Sequence, residues 1–180
     1  FWIGGTNTLT YFGHVQPPDI TVWHQYALTW DGSNARGYLD GALVAAQDQL
    51  GVTRSTGPGV TVNVLFGADN NPGYCGIMNG AEDEASIYSV ALTSQRVLAH
   101  YNAAISFDGS SRYARSIVAE GPIGYWRLNE AALATTAADS SLSASNHPGT
   151  ISSNGVALGQ PRSPGLAPLA AGGTPRFDGS

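Results

Sequence analysis

Residues 21–47 read TVWHQYALTWDGSNARGYLDGALVAAQ, and the punctuation of this stretch sets the architecture expected of the whole chain. Large and small side chains alternate through TVWHQYALTW (21–30), whose aromatic and β-favouring residues suit a pleated, half-buried surface. Asp31, Gly32, Ser33 and Asn34 supply turn chemistry. ARGYLD (35–40) predicts a second strand, Asp40-Gly41 is a strong two-residue hairpin signal, and ALVAAQ (42–47) predicts a third strand. The expectation is a three-stranded antiparallel meander.

The same grammar continues outward. GVTRSTGPG (51–59) predicts a loop, VTVNVLFGA (60–68) an alternating strand, and DNNPGYCG (69–76) a turn-rich excursion. GAEDEASIYSVAL (80–92) predicts a strand running towards a short helix of one or two turns. Thr93 is its expected N-cap, and Val97, Leu98 and Tyr101 its apolar face. ISFDGSS (105–111) is linker-like. Ser110 or Ser111 is expected to cap a second helix through RYARSIVAE (112–120), with Tyr113 and Ile117 on one face and Gly121-Pro122 as the stop. IGYWRLNE (123–130) predicts a strand. Residues 131–173 are rich in Ala, Ser, Gly and Pro, with short apolar runs at GTIS (149–152) and GVALG (155–159), and TPRFDGS (174–180) begins another strand. Strand signals outnumber helix signals and turns recur at short intervals. The fold class expected is all-β, an antiparallel jelly-roll sandwich with one or two short helices.

Composition narrows the function. An apolar fraction of 42% in 180 residues can support a core, and no apolar run approaches the length of a membrane span. The chain opens on Phe1-Trp2-Ile3 without methionine, as expected of a cut inside a longer protein. The net charge is −5 and the eight basic residues are all Arg, with no basic stripe to neutralise phosphates. That argues against nucleic acid as a partner. Charged residues make up 12%, far below the usual share, so the surface is built from Ser, Thr, Asn, Gln and Gly, as in many secreted and virion β-proteins. A single cysteine, Cys75, excludes an intrachain disulfide and is expected to be a small buried thiol.

Three segments resemble a known family. VWHQYALTWDGSNARGYLDGALVA is similar to the Trp-His strand, Asp-Gly turn and Tyr-x-Asp-Gly hairpin of laminin-G-like domains, members of the concanavalin-A-like jelly-roll class. NGAEDEASIYSVALTSQRVLAHY resembles the closing segment of that family. YWRLNE, with AADSS, NHPGT and FDGS after it, resembles the opening segment. The order is inverted here. The resemblance implies that residues 1–104 are the closing portion of one module, 105–112 a linker and 113–180 the opening portion of a second; a circular permutant is the alternative. It further implies a non-catalytic module, extracellular or on a virion surface, that binds a cell-surface glycan or a protein, with flanking modules or neighbouring copies as further partners. A phage tail or decoration protein and a secreted adhesin are the expected settings. An architectural self-assembling domain and an accessory domain of a secreted glycosidase are the alternatives.

The chemistry offered by the residues agrees with binding. A glycosidase on such a sandwich needs two carboxylates facing one groove. The acidic run is Glu82-Asp83-Glu84. On a strand Glu82 and Glu84 share a face and Asp83 points the other way, which breaks the Glu-x-Asp-x-Glu alternation of glucanases of this fold. Asp83 is expected to anchor a turn or sheet rim with its neighbours solvated. His14, His24, His100 and His147 are scattered, and no serine lies in a Gly-x-Ser-x-Gly elbow. Sugar binding needs an aromatic platform beside amides or carboxylates. Tyr74 with Asp69, Asn70 and Asn71 is the best local combination, and Arg36 with Tyr38 the second. Laminin-G-like sandwiches bind calcium at a loop rim, so the resemblance implies a possible calcium site at Asp69 and Asn71, whose oxygens are hard donors but supply one charge.

Overall fold

A computed structural model describes residues 2–4, 9–11, 15–48, 64–67, 78–106, 109–152, 155–160 and 174–178. They fall into two units interleaved along the chain. The first draws on 1–62 and 90–107, the second on 63–89, 108–162 and the strand at 174–178.

The first unit contains the meander. Trp2–Gly4 (β1) pairs antiparallel with Leu9–Tyr11 (β2). Tyr26–Trp30 (β3), Ala35–Leu39 (β4) and Ala42–Gln47 (β5) form a three-stranded antiparallel sheet with β4 in the centre. At the first turn the Asp31 carboxylate accepts the backbone N–H groups of Ser33 (2.9 Å) and Asn34 (2.7 Å) and the Asn34 amide (2.9 Å). Those bonds, the backbone N–H of Asn34 foremost, hold the carboxyl down at about 2. At the second turn Asp40 has φ +52° and Gly41 +76°, the doubly left-handed pattern of a tight type I′ hairpin.

The strand expected from Thr21 begins only at Tyr26. The preceding residues use their polar groups locally: Thr21 donates to the Asp19 carboxylate through its backbone N (2.8 Å) and its Oγ1 (2.6 Å). Such side-chain bonding competes with a ladder for the backbone.

Ser94–Ile105 (α1) follows the predicted cap. Thr93 is extended, and its hydroxyl accepts from Arg96 N at 3.4 Å. The helix is longer than the one or two turns expected. It buries Val97, His100, Ala103 and Ala104, whereas Leu98 is 44% exposed. Tyr38 and Ser94 share a hydrogen bond of 3.0 Å between hydroxyls. Gly41 comes so close to α1 that a Cβ there would lie 2.8 Å from Leu98 Cδ1 and 3.2 Å from Leu98 Cα.

The second unit holds Asn79–Ala81 (β6), Ala85–Ile87 (β7), Gly109–Ala119 (α2), Gly124–Trp126 (β8), Thr136–Ala137 (β9), Gly149–Thr150 (β10), Val156–Gln160 (β11) and Thr174–Asp178 (β12). Its antiparallel sheets run β11-β12-β6, β7-β8 and β10-β9. The single strand expected over 80–92 is broken at 82–84, because Glu84 takes φ +55° and turns the chain. The strand expected over 123–130 is cut short in the same way by Leu128, at φ +52°. Residues 64–67 of the predicted strand 60–68 lie outside any strand, and its other residues are outside the described ones.

Helix α2 starts slightly before its expected cap and buries Tyr113 and Ile117 together, as their spacing requires. It ends before Gly121, which has φ +65° and whose N–H donates to Val118 O at 3.0 Å. Trp126, Leu128 and Ala137 form the core, joined by Phe66, Ile87 and Ile151. The rings of Phe66 and Trp126 lie 5.5 Å apart, tilted by 59°.

The Gly41 contact carries a prediction. Gly41→Ala combines a left-handed backbone with overpacking against helix backbone, and should destabilise the protein by about 2–4 kcal/mol. At Gly32 φ is +102° and nothing lies within 4 Å of a Cβ, so Gly32→Ala should cost about 1 kcal/mol. Urea unfolding of both variants checks this; equal losses would refute the close approach.

Candidate functional site

Arg36 and Tyr38 lie on β4. Arg36 donates to the carbonyls of Ala35 (2.8 Å) and Gln47 (3.3 Å) and pairs with the Asp48 carboxylate. Tyr38 is 2% exposed, with its hydroxyl on Ser94. The loop candidates Asp69, Asn70, Asn71 and Tyr74, the calcium ligands Asp69 and Asn71 among them, lie outside the described residues, as does Cys75. Among the described residues no group of three or more His, Cys, Asp or Glu gathers to hold a metal.

The acidic run behaves differently from the solvated stretch expected of it. Residues 82–84 belong to no strand, and Glu84 is buried. Its carboxylate accepts the Tyr125 hydroxyl and is gripped by Arg127 through Nε (3.3 Å) and Nη2 (3.2 Å). A buried carboxylate persists only where such donors replace its water. Burial, and then the Glu84 charge, pushes the Tyr125 phenol far above its ordinary range. Burial also raises Glu82, partly offset by a hydrogen bond from the Gly67 backbone. Glu84 thus serves as an internal fastener. Aimed at a substrate it is not.

A second carboxylate holds the other side of β8. The Asp139 side chain is 1% exposed. Its Oδ1 accepts the N–H groups of Tyr125 (3.0 Å) and Ser141 (2.9 Å), and its Oδ2 that of His147 (2.9 Å). Burial alone would raise this carboxyl, but the three backbone donors outweigh it and hold the pKa at about 2. The Trp126 indole donates to His147 O at 2.8 Å, and Glu130 accepts Ala138 N at 2.9 Å. The YWRLNE, AADSS and NHPGT segments, noted in the sequence for their resemblance, are therefore tied to one another by side-chain acceptors.

Beside this cluster an open groove of ≈ 590 Å³ is lined on one wall by Ala114, Arg115, Val118 and Ala119 of α2 and on the other by Tyr125, Arg127 and Ser140. Sequence reasoning assigned none of these residues a role. The available signal was Arg127, a cation directly after two aromatics, Tyr125 and Trp126.

In the first unit His24 has an acceptor at each ring nitrogen: Asp40 Oδ2 on Nδ1 and Asp19 O on Nε2, both at 2.7 Å. Asp40 Oδ1 also accepts Gln25 N at 2.9 Å. A neutral imidazole has one N–H and can satisfy one of the two acceptors, whereas the imidazolium satisfies both. Burial lowers the His24 pKa, but the Asp40 and Asp19 bonds and charges outweigh it, and the net direction is upward from 6.5.

A laminin-G family model, described as the concanavalin A-like lectin/glucanases superfamily, matches residues 1–98. Among solved structures the chain is similar to an S-layer domain-containing protein (residues 221–444) from Clostridium thermocellum ATCC 27405, at 16% identity and a TM-score of 0.34. That match covers 52% of this chain and 45% of the other, so the chain spans less than half of that structure. No curated protein matches.

Two pH responses follow. Asp139 has a depressed folded pKa, so its stabilisation, on the order of 2 kcal/mol, is present above the ordinary 3.8 and is lost as pH falls towards 2. Asp139→Asn should remove a comparable amount at neutral pH and flatten the acid limb of a denaturation profile; an unchanged profile would refute the role. His24 has a raised folded pKa, so its contribution is complete below 6.5 and is lost as pH rises through the folded value. Thermal unfolding across that interval should show a decline that His24→Gln abolishes.

Proposed function

Because the chain belongs to the concanavalin A-like lectin/glucanases superfamily, we propose that it is a non-catalytic, lectin-like module that works outside the cell or on a surface and binds glycan or protein. The observation that carries this reading is the fate of the acidic run. Glu84 is buried and taken up by Tyr125 and Arg127, which leaves it unable to act as one of the two facing acids that glycoside hydrolysis needs. The low charge of the chain, 12%, supports a recognition surface of amides and hydroxyls. Among the described residues no helix is long and apolar enough to cross a membrane.

The reading extends to architecture and ligand. Closure of the antiparallel sheets into a jelly-roll sandwich belongs to it, supported by the family match and by the meander of β3, β4 and β5. On this reading the ligand belongs to residues 69–74, whose composition offers an aromatic ring in Tyr74 for the apolar face of a sugar and polar groups in Asp69, Asn70 and Asn71 for its hydroxyls. Asp69 and Asn71 offer hard oxygen donors to calcium, and with one charge between them the ion would be held weakly without further ligands. The tail, decoration and adhesin settings and the glycosidase-accessory role differ in the parent chain.

A glycan array probed with the full chain, in calcium and in chelator, tests the reading. Binding to a defined glycan class is expected. Tyr74→Ala should weaken it about tenfold or more, the loss of about 1.4 kcal/mol or above. No signal with calcium present, or full binding by Tyr74→Ala, would overturn the placement of the ligand.

A further inference from the structure

The segments that resemble the end and the beginning of the family lie in inverted order along the chain, yet in the second unit they are hydrogen-bonded side by side. Strand β7 pairs with β8 in the register Ala85↔Trp126, Ser86↔Tyr125 and Ile87↔Gly124, extended by Ile123 N donating to Ile87 O at 2.8 Å. Strand β6 pairs with β12 in the register Ala81↔Arg176, Gly80↔Phe177 and Asn79↔Asp178. The side-chain contacts run between the same two partners. Glu84 holds Tyr125 and Arg127, and Phe66 and Ile87 pack on the Trp126 cluster. Residues 64–67 and 78–87 are thus an acceptor with two strand edges, filled by β8 and β12.

We propose that this pairing is exchangeable, and that the partner which fits the acceptor in trans is the 123–178 segment of a second copy of this chain. Three observations support that occupant. Every contact just described joins residues from the two segments, so a second copy offers the same chemistry to the acceptor. The covalent path from β7 to β8 covers the whole of 88–123 and passes through α1, which belongs to the other unit. The closed pairing is therefore a closure over a long intervening segment, not a tight hairpin. Finally, the β7–β8 ladder is three residues long, and so short a ladder draws its strength from side-chain anchors that travel with it. The other edge of β8 is held within 123–178 by the Trp126–Asp139 bridge and by Ser140 N on Tyr125 O, so the donor strand travels with its own support. Exchange of this kind joins copies, or successive modules of one chain, by strand addition. It gives the self-assembling alternative a mechanism and requires no glycan.

The test starts from the whole folded chain. A specific protease site is placed between Ser106 and Gly109, and the folded protein is cut there. The two pieces should stay together on size-exclusion chromatography under native conditions. When two differently tagged samples are cut, unfolded together in urea and refolded, native mass spectrometry should find mixed complexes alongside the parental ones. Glu84→Ala should raise the dissociation constant of the cut pair at least tenfold. Tyr125→Phe, which removes a hydroxyl without disturbing the ring, should raise it severalfold and covers the case in which Glu84→Ala does not fold. Pieces that part on cutting, refolded samples without mixed complexes, or a dissociation constant unmoved in the variants would each overturn the proposal.

Discussion

A carboxylate taken out of water needs donors to replace its hydration shell, and the second unit is organised around meeting that demand for Glu84. The residue adopts a left-handed backbone, a conformation that costs a non-glycine residue about 1–2 kcal/mol, and this interrupts what would be one strand. The interruption leaves β6 and β7 in different sheets. Tyr125 and Arg127 supply the donors from β8 and the residue after it, while Trp126 between them faces the core. Breaking a buried pair by removing one partner costs about 3–5 kcal/mol, an upper bound here because the Arg127 side chain is 26% exposed. The backbone strain, the break in the strand and the choice of pairing partner thus share one origin.

The first unit applies the same economy at its turns. Asp31 closes one reversal and Asp40 the other, each accepting backbone N–H groups that would otherwise be unsatisfied. Asp19 binds Thr21, and Asp139 does the same for the start of β8. In a chain with few charges, Asp19, Asp31, Asp40 and Asp139 are committed to holding backbone together. A search for paired acids in such a sequence is drawn to residues whose purpose is internal.

This explains which features could be foreseen. The meander, both of its turns, the Thr93 cap and the shared face of Tyr113 and Ile117 depend on neighbours a few residues apart, and alternation and turn chemistry report them directly. The late start of β3 was hidden because Asp19 and His24 act on the backbone through side chains. The break at Glu84 and the early end of β8 at Leu128 were hidden because positive φ at a non-glycine residue is imposed by distant partners. Pairing of β6 with β12 leaves no local trace at all. The groove was equally opaque, since α2, Arg127 and Ser140 meet only in three dimensions. The proposed loop of Asp69, Asn70, Asn71 and Tyr74 remains a reading of composition, outside the described residues.

The interleaving of the two units has a consequence for synthesis. The meander is made before residues 64–87, with its three strands close together in sequence, so it can form while the chain is still growing. Residues 64–87 emerge next, but Trp126 and Phe177 are not yet made. Phe66 and Ile87 must wait with their apolar surfaces uncovered until Trp126, Leu128 and Ala137 have left the ribosomal tunnel. Over that interval the nascent protein carries a half-built sheet.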